Sequence, residues 1–211
     1  LRFTLVALAV LLPSGAAAQA STREFWPELD VSYRPAKHQR TFLELASKSE
    51  RDGPLHQGTV GLFQDYLWSS AAYLRGGYRF TFNTRGARYR ESRLVGELVL
   101  PVASSKTLSL SNRLRGEARN IDRDWSYRIR DRLHLEHPSS ASSGLRPTPY
   151  VTFEAYYDSR YNTIVRLAGR LGLETHLGGP AVLDVYYARQ DDSRGSTRVV
   201  NAFGITLMLS Y

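Results

Sequence analysis

The sequence predicts an all-β chain, a transmembrane up-and-down antiparallel β-barrel of ten strands, with twelve as the alternative. Three observations carry this. Apolar and polar residues alternate with period two through long segments, a short apolar run with small residues behind it opens the chain, and the last strand alternates up to an aromatic residue.

Residues 1–12 are almost wholly apolar, with Arg2 as the only charge, and Pro13, Ser14 and Gly15 break the run before Ala18-Gln19-Ala20. That order reads as a secretory signal peptide cut after Ala20, leaving 21–211 as one barrel domain. The run is too short to cross a bilayer as a helix, and no later apolar stretch is long enough. A mean hydropathy of -0.35 fits a barrel, because every second strand residue can be polar. With no cysteine, a disulfide scaffold is excluded. A net charge of +8 would ordinarily suggest nucleic acid, but export removes that partner. Lysine occurs only at Lys37, Lys48 and Lys106, so the positive charge is nearly all arginine. Arginine suits confined ion pairing and carboxylate or phosphate recognition.

The alternation is clearest at 107–120. Leu108, Leu110, Leu114, Gly116 and Ala118 fall on one face, and Ser109, Ser111, Arg113, Arg115, Glu117 and Arg119 on the other. Successive strand residues point to opposite sides, so this is a strand with one apolar and one charged face. The next, 125–137, sets Trp125, Tyr127, Ile129, Leu133 and Leu135 against Ser126, Arg128, Arg130, Arg132, His134 and Glu136. The same reading gives strands at 41–49, 57–68, 72–83, 91–103, 148–158, 163–177, 181–190 and 198–211, with a short one at 29–33. Most match the roughly 9–11 residues that a tilted strand needs to cross a bilayer.

Short turns at 69–71, 104–106 and 178–180 alternate with more polar links at 50–56, 83–90, 121–124 and 191–197. That is the outer-membrane pattern of periplasmic turns and extracellular loops. The serine-rich 138–147 link is long for the side on which it falls. Eleven segments qualify as strands, but a bacterial barrel with both ends in the periplasm needs an even number. Setting 29–33 outside the main sheet leaves ten. In the final strand Phe203, Ile205, Leu207, Leu209 and Tyr211 alternate with Gly204, Thr206, Met208 and Ser210. Gly204, Leu207, Leu209 and Tyr211 resemble the C-terminal signal read by the barrel assembly machinery. These features place the chain in the outer membrane of a Gram-negative bacterium, with outer-membrane lipid and that machinery as partners.

Several motifs extend the reading: Phe25-Trp26-Pro27-Glu28-Leu29-Asp30, Asn112-Arg113-Leu114-Arg115-Gly116-Glu117-Ala118-Arg119, Tyr127-Arg128-Ile129-Arg130-Asp131-Arg132, Glu154-Ala155-Tyr156-Tyr157-Asp158, Arg166 before Gly169, and Tyr186-Tyr187-Ala188-Arg189-Gln190. With the last strand they resemble an uncharacterised family of proteobacterial outer-membrane barrels known only as a domain of unknown function, number 2490. The resemblance spans nearly the whole mature chain. It implies location and fold, and brings no activity or catalytic residues.

If the apolar face meets lipid, the charged face lines the lumen. Pairing across 121–124 puts Glu117 opposite Arg128, Arg115 opposite Arg130 and Arg113 opposite Arg132. Like charges directly opposite are destabilising unless something negative intervenes. Pairing across 104–106 would bring Glu97 to Arg113, Arg93 to Glu117 and Glu91 to Arg119. The candidate lumen arginines are Arg113, Arg115, Arg119, Arg128, Arg130, Arg132, Arg166 and Arg170, and the candidate carboxylates Glu97, Glu117, Glu154, Glu174 and Asp184. Between 72 and 190 the arginines outnumber the acids on the assumed facing. Two readings stay open: a salt-bridged interior that passes little, as in a structural or surface-interaction barrel, and a narrow pore preferring small anionic solutes, with Arg115, Arg130 and Arg132 as its uncompensated track.

An enzyme is not expected. His137-Pro138-Ser139 has the spacing found in lipid A deacylases, but lies in a connection on the periplasmic side. Glu174 opposite Asp184, with His176 near, could share a proton. No nucleotide loop, nucleophile elbow or metal-ligand spacing occurs, and no cofactor or metal is called for. Trp26, Trp68, Trp125, Tyr127 and Tyr187 have the residue types of interfacial girdles.

Overall fold

The alternating faces close into a cylinder. The computed structural model describes residues 21–50, 53–69, 71–138, 147–194 and 199–211. The expected signal peptide and most of the 138–147 link lie outside them. Among the described residues there are eleven strands: β1 (Ser21–Ala36), β2 (Gln39–Glu50), β3 (Leu55–Leu67), β4 (Tyr73–Asn83), β5 (Arg90–Ser104), β6 (Ser109–Ile121), β7 (Asp124–Glu136), β8 (Pro147–Asp158), β9 (Thr163–Gly178), β10 (Ala181–Asp192) and β11 (Val199–Ser210). Each pairs antiparallel with its neighbours in sequence, and β1 pairs with β11 to close the barrel.

The count corrects the expected ten or twelve. The segment near Leu29 is not outside the sheet but forms a 16-residue strand. It runs parallel to β11, from Ser21 opposite Val199 to Ser32 opposite Ser210. The alternation explains why it joins. Phe25, Leu29, Val31 and Tyr33 fall on one face, while Trp26 and Ser32 are buried on the other. An odd number of antiparallel strands leaves the first and last running the same way, so the closing pair must be parallel. Closure still satisfies both open edges, and odd-stranded barrels exist. The seam continues past β11: the Tyr211 amide donates to Ser32 O and the Arg34 amide to Tyr211 O, both at 2.9 Å. Ser21 and Tyr211 therefore lie at opposite rims.

The apolar face points outward. Leu62, Leu94, Leu114, Leu133, Leu171 and Phe203 are among the large exposed side chains. Aromatics mark both rims, Trp125, Tyr127 and Tyr161 at one and Tyr33, Tyr66, Trp68 and Tyr211 at the other. Trp26, expected among the girdle types, instead lies inside at 6 % exposure. Gly76, Gly96 and Gly116 sit side by side on β4, β5 and β6, where an added Cβ would meet nothing. Next to them the outward Asp131 accepts a hydrogen bond from Asn112 at 2.6 Å, a polar pair within the apolar wall.

The interior has two unlike halves. From β8 round to β1, Trp26, Tyr150, Tyr186, Ala188, Val200 and Ala202 form an apolar cluster. Tyr186 lies across Gly204, its register partner, and Tyr150 across Gly172, so neither glycine has room for a Cβ. Of the four residues of the expected assembly signal, Gly204 is thus fixed by packing. Leu207, Leu209 and Tyr211 carry the seam with β1. The other half is charged.

If β1 closes the barrel, cysteines placed at Leu29 and Leu207 should form a disulfide under mild oxidation, because the two are register partners. A control pair at Leu29 and Leu45 reports the β1–β2 ladder. Cross-linking of the control without the β1–β11 pair would overturn the parallel closure.

Candidate functional site

The charged half grows from two short repeats on adjacent strands. On β6 the residues Arg113, Arg115, Glu117 and Arg119 alternate inward, and on β7 Arg128, Arg130 and Arg132 do the same. The β6–β7 turn is tight, with Asp122 and Arg123 at positive φ. It sets Arg113 opposite Arg132, Arg115 opposite Arg130 and Glu117 opposite Arg128, as the sequence implied. Arginine thus faces arginine at two positions.

Carboxylates on the flanking strands resolve the conflict. Glu154 of β8, register partner of Arg132, accepts from Arg113 at 2.8 Å, Arg132 at 2.9 Å, Arg130 at 3.0 Å and the Tyr156 hydroxyl at 2.8 Å. Glu97 of β5 accepts from Arg115 Nη2 at 2.5 Å, with Arg113 at 3.6 Å. Glu117 meets Arg130 at 3.1 Å. Nearer the rim, Asp158 takes Arg119 at 2.6 Å, Arg160 at 2.9 Å and Arg128 at 3.1 Å. Glu91 binds Arg93, Arg119 and the Tyr89 hydroxyl. Glu91 and Asp158 have no exposed surface. Planar guanidinium groups suit such shared, forked contacts better than ammonium groups would.

The pairing across β5 and β6 differs from expectation by two residues. Glu97 lies opposite Arg115 rather than Arg113, Arg93 opposite Arg119 rather than Glu117, and Glu91 opposite Ile121 rather than Arg119. Two causes act together. The turn is wider, closed by the Ser105 amide on Leu108 O at 2.8 Å with Ser105 Oγ receiving the amides of Thr107 and Leu108. A bulge also follows Pro101, which has no amide to give to the ladder. A shift of two keeps every side chain on its own face.

The remaining candidates are dispersed. Arg166 pairs with Asp192 at 2.5 Å near the rim and stacks over Tyr156. Arg170 lies over Tyr186, with its guanidinium carbon 4.6 Å from the ring centre, and forms no ion pair among the described residues. Glu174 does stand opposite Asp184. Asp184, however, accepts the Tyr150 hydroxyl at 2.9 Å, and His176 pairs across to Val182. His137 bonds through Nδ1 to Thr107 O at 2.5 Å, and Ser139 lies outside the described residues.

Sequence reasoning missed the acids of β1–β3. Asp65 binds Arg40 at 2.6 Å and Arg75 of β4 at 2.7 Å, and Glu44 binds Arg79 of β4 at 2.5 Å. Glu28 and Asp30 share the inward face of β1. These acids offset the positive surplus that appears when β1–β3 are left out. Glu44 and Asp65 lie in expected strands, 41–49 and 57–68, outside the 72–190 count, whereas Glu28 and Asp30 were lost with the segment that the even-strand rule set aside. Among the described residues no group of three or more acids, histidines or cysteines could hold a metal ion.

Residues 23–201 match a family described as "Protein of unknown function (DUF2490)". The chain belongs to this family. No curated protein matches the sequence. Among solved structures the barrel is similar to LpxR from Salmonella typhimurium, with a TM-score of 0.53 and 7 % identity, covering 82 % of this chain and 83 % of that one. At that identity the likeness is one of fold.

Removing Glu154 would leave Arg132 without an ion-pair partner among the described residues, and Arg113 and Arg130 with only Glu97 and Glu117. Breaking a buried ion pair costs about 3–5 kcal/mol, so Glu154→Ala should lose stability on that scale in urea titrations of the refolded barrel. Glu174→Gln removes a carboxylate that has no ion-pair partner among the described residues, and should leave the midpoint unchanged or raised.

Proposed function

We propose that this chain is an integral outer-membrane barrel with a non-conducting lumen, acting as a structural or surface-interaction element rather than as a pore or an enzyme. The observation that carries the reading is the fate of the expected anion track. Arg115 is held by Glu97, Arg130 by Glu117 and Glu154, and Arg132 by Glu154. A permeating anion would have to displace protein carboxylates from buried guanidinium groups. Charged rings select ions only when their charge is available to the ion. On the other side of the lumen the cluster around Tyr150 and Tyr186 is apolar and buried, and offers an anion no cationic group.

The apolar outer face supports the membrane reading. Large side chains such as Trp125, Leu171 and Leu114 are exposed, which a water-soluble barrel would not sustain over so wide a surface. Among the described residues no helix is long and apolar enough to cross a membrane, a criterion that does not bear on strands. Aromatic residues at both rims match the girdles of bilayer-spanning barrels. In this reading Asp184 is a packing partner of Tyr150, and His137 fastens the 105–108 turn to the end of β7.

Refolded protein in a planar bilayer under a salt gradient should give no current steps. Steady anion-preferring openings that weaken in Arg115→Ala or Arg130→Ala would overturn the closed-lumen reading and restore the pore.

A further inference from the structure

The outer wall is ordered by depth at the β1–β11 seam. Three register rows stack from the rim downward on its outward face. The first is Arg189, Asn201 and Arg23, the second Tyr187, Phe203 and Phe25, and the third Val185, Ile205 and Pro27. Phe25 and Phe203 stack with centroids 6.3 Å apart and planes 13° from parallel. A groove of about 670 Å³ runs between these rows, its lining including Arg23, Glu24, Phe25, Tyr187, Asn201 and Phe203.

Its polar groups are mostly donors. Arg189 is occupied by Asp191 at 3.0 Å, and the one carboxylate of the lining, Glu24, is turned to Trp26, accepting from its Nε1 at 2.6 Å. The Tyr187 hydroxyl donates to Asn201 Oδ1 at 2.6 Å, and among the described residues the Asn201 amide nitrogen makes no hydrogen bond. Arg23 is exposed and has no ion pair among the described residues. A guanidinium and an amide donor, both unpaired among the described residues, therefore sit directly above an aromatic shelf, with an aliphatic row beneath it.

We infer that this groove binds a phosphate-bearing lipid, with the phosphate on Arg23 and Asn201 and an acyl chain along Phe25, Phe203 and Tyr187. The inference rests on the membrane reading above. A lipid presents the same three chemistries in the same order of depth: an anionic headgroup, an interfacial glycerol region and a hydrocarbon chain. Guanidinium groups take phosphate through forked hydrogen bonds, and aromatic rings favour the boundary between headgroup and chain. An acidic peptide would use the cation but not the tiered apolar shelf below it.

The test uses micelle-solubilised full-length barrel and native mass spectrometry with two probes that share their chains. Dioleoyl phosphatidic acid carries the phosphate and dioleoylglycerol does not. The wild type should retain one phosphatidic acid in preference to dioleoylglycerol. Arg23→Gln should reduce that retention about tenfold, the scale of one charge-assisted hydrogen bond, without changing the retention of dioleoylglycerol. Arg23→Lys should recover part of it. Equal retention of the two lipids, or Arg23→Gln behaving as wild type, overturns the site. Insertion into phosphatidylcholine vesicles and heat-dependent gel migration are measured on the same preparation. A barrel that inserts without the lipid preference sinks the site alone, whereas a chain that fails to insert sinks the membrane reading beneath it.

Discussion

Everything inside this barrel depends on how two facing rows of arginine are kept from repelling one another. The ladder between β6 and β7 places Arg113 against Arg132 and Arg115 against Arg130. In a confined interior, with screening weaker than in water, such contacts are costly. They persist because Glu97 on one flank and Glu154 on the other lie within hydrogen-bonding reach. The requirement is geometric as well as electrical. Those acids serve only if β5 and β8 hold a particular register, so the bulge after Pro101 and the wide 105–108 turn belong to the charge balance as much as to the backbone. The same pairing occupies the guanidinium groups that a conducting anion would need, so in the reading proposed above one arrangement serves both stability and the closed lumen.

The two halves of the interior solve different problems. The charged half is held by directional contacts, with Glu91, Glu97, Glu154, Asp65 and Asp158 each serving two or more arginines. In the half from β8 to β1, rings are fitted over glycines, with Tyr186 across Gly204 and Tyr150 across Gly172. Ring-over-glycine packing covers bare backbone and pins the register of neighbouring strands. Trp26, Ala188, Val200 and Ala202 complete that side. β1 contributes to both halves, through Trp26 to the apolar cluster and through Glu28 and Asp30 to the acids. A barrel lacking it would miss part of each.

Most of this was legible in the residues, for an identifiable reason. Period-two alternation encodes which side of a strand each residue faces, and it held even where pairing was misjudged, as at Glu97 and Arg113, since a slip of two preserves facing. The β6–β7 register was readable because a tight turn leaves little freedom. The β5–β6 register was not, because its turn is wider and a bulge changes the count. The strand total went astray by a different route. β1 has the same alternation as the others, but a rule about where chain ends lie outweighed the pattern of Phe25, Leu29 and Val31 against Trp26, Glu28 and Asp30. Pairing between side chains two strands apart, as between Arg119 on β6 and Asp158 on β8, leaves no mark on local sequence and had to come from the closed structure.

The outer wall is also uneven around its circumference. The flank formed by β4 to β7 carries three adjacent glycines and, beside them, the Asp131–Asn112 pair, set among outward side chains such as Leu94, Leu114 and Leu133. Turning the molecule about its own axis therefore brings one patch of bare peptide with a carboxylate beside it past its surroundings. If the membrane reading proposed above holds, such a cylinder has a front and a back in a crowded lipid sheet. Its neighbours would meet it at preferred azimuths, with the shallow side admitting the closest approach.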